Sequence, residues 1–209
     1  MNIEQLQSYA VLGTVSYLLG SVPTALVVSA IFKRVDLRTT GSGNLGIYNT
    51  LFRVGKLPAI CALIWNFSAA TSAVLLAKSF FSGDSVAVLI AITAVTAGSM
   101  WQVFARFSGS RGTTTLGFAL VYAEPLIWAA CVGAWLLALL PRRRTTDATP
   151  TLIRLFPVIF GFFGLMTWSW TYVVAGAVIG LLLEIKRRSS ADDTLALGLF
   201  RRFGINHHS

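Results

Sequence analysis

Polar residues in this sequence never gather into a segment longer than a loop or a tail. The longest polar stretches are 33–56, 141–154 and 184–209, and apolar runs fill most of the rest. Backbone surrounded by lipid must satisfy its own hydrogen bonds, so apolar runs of this kind fold as helices. Only 12% of the 209 residues are charged, about half the share usual in a soluble domain, and mean hydropathy is +0.71. The expected fold is all-α: a single transmembrane domain over residues 1–188, then a basic cytoplasmic tail at 189–209. Residues 9–32 have the hydropathy of a signal peptide, but no basic segment precedes them and no A-x-A site follows. They read as the first membrane helix.

The runs place helices near 9–32, 57–77, 86–105, 113–123, 126–140, 155–165 and 168–184. The fourth and sixth fall short of the ~20 residues a full crossing needs. Fusing 113–140 and 155–183 would give five helices instead. Charge separates the two versions. With about seven transmembrane helices, the N-terminus outside and the C-terminus inside, every Lys and Arg except Lys78 falls on the inner side. The fused version moves Arg142, Arg143, Arg144 and Arg154 outside. The positive-inside rule favours seven, with inner loops at 33–56, 106–112 and 141–154. The same bias accounts for the net charge of +9 without a nucleic-acid partner. Cys61 and Cys131 lie in apolar runs with no Cys or His at ligand spacing, so they read as small hydrophobes. Neither a disulfide nor a metal site is expected from them.

Within the first inner loop, "TTGSGNLGIYNTLFRVGK" (39–56) places Gly41, Gly43 and Gly46 in the order G-x-G-x-x-G. A dinucleotide fingerprint needs a preceding strand and a βαβ unit of about 30 residues. Here membrane helices flank it, and no G-K-[ST] closes a phosphate loop of the Walker kind, so no nucleotide cofactor is expected. The glycines still permit positive φ, which lets successive N–H groups point at one anion. Ser42, Asn44 and Asn49 add neutral donors; Arg38, Arg53 and Lys56 add charge. The second loop, "GSRGTTT" (109–115), sets Gly109, Arg111 and Gly112 before a helix, where free N–H groups favour phosphate. Thr113, Thr114 and Thr115 can cap that helix or donate to the same anion. Close helix packing and topogenic charge would also explain either loop by itself. Two such loops on one face make a phosphate site the competing explanation.

Residues 17–56, "YLLGSVPTALVVSAIFKRVDLRTTGSGNLGIYNTLFRVGK", resemble the opening of the bacterial acyl-phosphate:glycerol-3-phosphate acyltransferases. Gly20, Ser21, Val22, Pro23, Asp36, Leu37, Arg38, Gly41, Ser42, Gly43, Asn44, Gly46 and Asn49 match that family's first motif in register. In its second motif Gly109, Gly112 and Thr115 match, with Arg111 in place of lysine. The resemblance runs from about residue 9 to 140 and implies transfer of a fatty acyl group from acyl phosphate to glycerol 3-phosphate. The product would be lysophosphatidic acid, a step of phospholipid biosynthesis, made without a cofactor at the cytoplasmic face of a bacterial plasma membrane. It further implies catalytic roles for Ser42, Arg38 and Arg111. Gly41, Gly43, Asn44, Gly46, Asn49, Gly109, Gly112 and Thr115 would bind phosphate, with Ser21, Arg53 and Lys56 in support. The implied partners are the two substrates and the bilayer; nothing names a protein partner.

The departures fall at polar positions. The family's A-T is Ile47-Tyr48 here, its next arginine is Phe52 with Arg53 one place later, and the Asp and Lys of its second helix are Asn66 and Ala69. Its G-H is Gly98-Ser99 and its F-P is Trp101-Gln102. Where its third motif carries His and Asn, this chain has Lys186 and Ser189, and His207 and His208 stand far along the tail. Two alternatives therefore stand beside the enzyme: a non-catalytic relative that keeps the phosphate or lipid cradle, and an acyltransferase with another acceptor. A small anion transporter fits less well, because no internal repeat with interrupted helices is visible.

Overall fold

Pro23 cuts the first apolar run in two. It lacks an N–H and disfavours helical geometry in the residue before it, and it separates α1 (Ile3–Gly20) from α2 (Thr24–Lys33). The computed structural model describes residues 2–82, 84–142 and 145–191. In chain order α3 (Ile47–Arg53), α4 (Lys56–Phe80), α5 (Ser85–Met100) and α6 (Thr113–Ala123) follow. Then come α7 (Pro125–Arg142), α8 (Thr145–Met166) and α9 (Trp170–Ser189), with short 3-10 turns at Leu37–Thr39 and Val103–Ala105. His207, His208 and the rest of the tail beyond Ala191 lie outside the described residues, as do Arg143 and Arg144.

Two of the expected boundaries are corrected. The stretch 141–154 is not a loop throughout, because α8 begins at Thr145 and continues through Pro150 and Pro157 to Met166. Threonine and proline are weak helix formers, but packing against α7 and α9 overrides that local preference. The first inner loop also contains a helix of its own, α3, at Ile47–Arg53.

Among the described residues, four segments are long and apolar enough to cross a bilayer: Ile3–Lys33, Lys56–Phe80, Ser85–Ala105 and Thr149–Met166. Thr113–Ala123 and Pro125–Ala138 are shorter apolar helices. Ile31, Leu126, Val158, Phe162 and Leu181 are exposed on the outside of the bundle, where lipid rather than water must meet them. This is a multi-pass membrane protein.

Small residues set how closely the helices approach. A Cβ on Gly20 of α1 would strike the Val95 carbonyl of α5, and one on Gly98 of α5 would strike the Tyr17 carbonyl of α1. The Ser21 hydroxyl donates to the Gly98 carbonyl at 3.4 Å within the same crossing. On α9, Gly176 and Gly180 receive Phe160 and Pro157 of α8, a spacing of small residues that suits helix contact in lipid. Ala69, Ala70, Ala73 and Ala77 of α4 share one buried cluster with Ala87, Ala91 and Ile92 of α5. Replacing Gly98 by valine will destabilise the fold by about 3 kcal/mol or more, since a backbone carbonyl cannot yield as a side chain does. Thermal unfolding in detergent measures this. Gly133→Ala, whose Cβ meets nothing within 4 Å, should leave the Tm almost unchanged.

Side-chain contacts sort the connections between helices into two ends. At one end Tyr9 of α1 stacks on Phe81 and its hydroxyl bonds the Asp84 carboxylate. Lys78 caps the Tyr122 carbonyl at the end of α6 at 3.3 Å, and Tyr172 of α9 donates to Glu124 at 2.8 Å. The opposite end gathers the loops after α2 and α5 with the residues that follow α9.

Candidate functional site

The first glycine loop is anchored by one side chain that never reaches its surface. Leu37 is fully buried against Ala25, Leu45, Val54, Ala62 and Ala105. Just before it, Asp36 caps the 3-10 turn by accepting the Arg38 N–H at 2.9 Å. It then pairs with the Arg38 guanidinium, whose Nη2 donates to Oδ2 at 2.7 Å. The Arg38 side chain, and secondarily its backbone N–H, hold the Asp36 carboxyl below its usual range. A lowered native value stabilises the folded loop above the free carboxylate pKa of ~3.9, and that contribution is lost as pH falls through the lowered value. Asp36→Asn should therefore lower the Tm equally at neutral and mildly alkaline pH, and its gap from the parent should close below about pH 4.

The turn itself is built around Asn49. Gly41 and Gly43 take left-handed φ values of 69° and 74°, and the fully buried Asn49 amide sits beneath them. Its Nδ2 donates to the carbonyls of Thr40 at 2.9 Å, Asn44 at 3.0 Å and Leu37 at 3.4 Å, while Oδ1 accepts the Ser42 N–H at 3.4 Å. Asn49 thus shapes the cradle from within. A Cβ on Gly41 would collide with Asn49 Oδ1 and lie 2.8 Å from Arg53 Nε, so that glycine is required on both counts. The Ser42 hydroxyl accepts the Asn44 N–H at 3.3 Å.

The second loop folds back onto the end of α5. Ser110 donates its N–H to the Ser99 carbonyl at 2.9 Å, and its hydroxyl accepts the Gly112 N–H at 3.1 Å. A side chain at Gly109 would run into the Met100 backbone. Gly112, at φ 78°, turns the chain into α6. The two loops then join: the Leu45 N–H donates to the Gly109 carbonyl at 3.1 Å. Across that junction Asn44 Nδ2 and Arg111 Nη2 reach the same atom, the Ala191 carbonyl oxygen, at 2.9 and 2.7 Å.

Behind the joined loops lies a cavity of about 340 Å³. Its rim carries Gly46, Ile47, Tyr48, Ser110, Arg111, Gly112, Thr113 and Thr114. Leu120, Trp128, Val132, Trp135, Ile153 and Phe156 make an apolar wall. From Thr113 to Leu120 along α6 that wall is roughly 10 Å deep, at ~1.5 Å per residue. A polar mouth over an apolar well suits a molecule with an anionic head and a hydrocarbon chain.

Of the residues singled out from the sequence as anion donors, Gly46, Arg111, Gly112, Thr113 and Thr114 line the cavity, and Asn44 joins them through the shared oxygen. Gly41, Gly43 and Ser42 form the adjoining turn, and Arg38 is tied to Asp36 at its entry. Gly109 is buried in the loop junction, and Thr115 is buried with its hydroxyl lacking a hydrogen-bond partner. Ser21 belongs to the α1–α5 crossing. Lys56 is exposed at the first turn of α4. Sequence reasoning missed Tyr48 and Ser110 at the rim, the α7 and α8 wall, and Ala191. Tyr48 and Ser110 carried a signal, by lying inside the first and second motifs; Trp128 and Phe156 look like any other lipid-facing aromatics.

A family model described as glycerol-3-phosphate acyltransferase matches residues 10–196. Among similar proteins, the glycerol-3-phosphate acyltransferase of Synechococcus sp. (strain CC9902) is 33% identical over 192 residues, covering 91% of this chain and 94% of that one. That of Dechloromonas aromatica (strain RCB) is 35% identical over 144 residues, 69% of this chain and 72% of its own. The crystal structure of PlsY (YgiH), an integral membrane glycerol 3-phosphate acyltransferase, is also similar in its glycerol 3-phosphate form. It superposes with a TM-score of 0.73 at 26% identity, covering 97% of this chain and 96% of that one. The lysophosphatidic acid form of that protein gives 0.71 at 25% identity, over 96% and 95%. A match of that length at that identity leaves one membership: the chain belongs to the glycerol-3-phosphate acyltransferase family.

Proposed function

We propose that this protein transfers a fatty acyl group from acyl phosphate to the 1-hydroxyl of glycerol 3-phosphate, releasing lysophosphatidic acid and inorganic phosphate. The observation that carries the reading is the junction of the two glycine loops, where Asn44 and Arg111 converge on one oxygen at the mouth of an apolar cavity. An acyl phosphate is a mixed anhydride with a good leaving group, so no covalent enzyme nucleophile is needed. The glycerol hydroxyl oxygen attacks the acyl carbon, the bond from that carbon to the phosphate oxygen breaks, and the departing phosphate takes the hydroxyl proton. What remains for the protein is to hold two anions together and to offset developing charge.

In this reading Arg111 clamps the phosphate of the donor at the rim, and the acyl chain descends between α6, α7 and α8. Ser42 and Asn44, with the N–H groups of Gly41 and Gly46, face the phosphate from the other loop, while the Gly43 N–H closes the turn onto the Thr40 carbonyl at 3.3 Å. Gly109, Gly112 and Thr115 set the helix start beneath it. Arg38, Arg53 and Lys56 make the approach positive, with Ser21 and Asn49 as internal support. The placement that agrees with the charge pattern is seven crossings of a bacterial plasma membrane, the N-terminus outside and both glycine loops in the cytoplasm.

A second reading, a non-catalytic relative that holds phosphate or lipid, is favoured by one feature. Lys186 and Ser189 stand where the resembling family carries His and Asn, and Lys186 is buried over the Trp101 ring, 5.6 Å from its centroid. Incubating purified protein with palmitoyl phosphate and labelled glycerol 3-phosphate separates the two. The enzyme yields labelled lysophosphatidate and equimolar phosphate. Binding of either substrate without product establishes the second reading.

A further inference from the structure

We infer that Asn66 makes the cavity selective for acyl donors carrying a hydroxyl near the carboxyl end, the 3-hydroxyacyl class in particular. The inference rests on the acyl-phosphate reading of the cavity. Most polar side chains on its lining belong to a loop or to the first turns of a helix: Tyr48, Ser110, Arg111, Thr113, Thr114 and Thr149. Asn66 lines the same cavity from the middle of α4, ten residues beyond Lys56. Its amide forms no hydrogen bond among the described residues. An amide without a partner in apolar surroundings is costly. A chain that brings it a partner gains over a plain hydrocarbon.

Depth and space select the position of that partner. Phe67 of α4 packs edge-on against Phe118 of α6, ring centroids 5.4 Å apart, which places Asn66 about level with Gly117. Gly117 also lines the cavity, and a Cβ there would meet nothing within 4 Å, so the well is open at this depth. Gly117 lies four residues past Thr113 at the rim, ~6 Å at ~1.5 Å per residue. Four bonds separate phosphorus from carbon 3 of an acyl phosphate. An extended chain of ~1.5 Å bonds at ~111° advances about 1.25 Å per bond, about 5 Å in all. A phosphate at the rim therefore sets carbon 3 beside Asn66. The amide donates through Nδ2 and accepts through Oδ1, and a hydroxyl answers either. A ketone only accepts, and a methylene does neither. The hydroxyl takes no part in the transfer, and the product carries it unchanged.

Turnover of 3-hydroxypalmitoyl phosphate and of palmitoyl phosphate, each with glycerol 3-phosphate, tests this in the full-length protein. The parent should favour the hydroxylated donor by about 10-fold in kcat/KM, the factor expected from one added hydrogen bond. Asn66→Leu should bring that ratio to one or below. Gly117→Leu, which fills the space before the amide, should do the same and stands in if Asn66→Leu fails to fold. A ratio near one in the parent, or a preference that survives either substitution, overturns the inference and leaves the acyltransferase reading intact. If the parent turns over neither donor, that reading fails and the inference fails with it.

Discussion

Arg111→Ala will lower kcat/KM for acyl transfer by about 10²- to 10³-fold, the loss typical of removing one preorganised donor from developing charge. The position explains the size. Arg111 is the arginine at the cavity rim, held between the Ser110 turn and the N-terminus of α6. The variant should still fold, since a partly exposed arginine replaced by alanine leaves no core cavity. Circular dichroism and a Tm near the parent's would establish that. Arg111→Lys should recover part of the rate, because it restores charge without the planar fork. If Arg111→Ala turns over at parental speed, the second loop has no part in the chemistry.

The largest structural effect should come from a change of one atom. Asn49→Asp is close to isosteric, but it sets a carboxylate oxygen against the carbonyls of Thr40 and Asn44, which now receive an N–H at 2.9 and 3.0 Å. Burying that charge without a counter-ion, or protonating it and losing a donor, should cost about 3 kcal/mol or more. For a chain of this size that is a Tm fall on the order of 10 °C. Activity should be lost as well, because Asn49 sets the course of the backbone from Gly41 to Asn44. Unfolding curves and turnover in the same detergent would measure both. A parental Tm would mean that the loop does not hang on this residue.

Much of the fold could be read from local signals. The α6 helix begins and ends where its apolar run does, and the glycines at 41, 43 and 112 occupy positive φ, as closely spaced glycines between helices suggest. Other boundaries were hidden because their cause is not local. Ser21-Val22-Pro23 lies inside an apolar run, so hydropathy carries straight across the break between α1 and α2. The "TTDATPT" segment has the composition of a loop, yet it opens α8, a helix that packs against α7 and α9. Asn49 has a side chain of a type that suits phosphate; its burial under the turn depends on where α3 lands.

Residue types and their local spacing determined, with no other help, that the chain builds helices for a bilayer and places flexible, donor-rich turns between them. Both properties follow from transfer free energy and glycine stereochemistry, which act over a few neighbouring residues. Only the tertiary structure decided which donors meet. Asn44 and Arg111 reach the same Ala191 carbonyl because α5 packs against both α6 and α9 and the second loop folds back onto the end of α5. Helix packing depends on surfaces brought together from distant parts of the chain, and no stretch of sequence carries that information by itself.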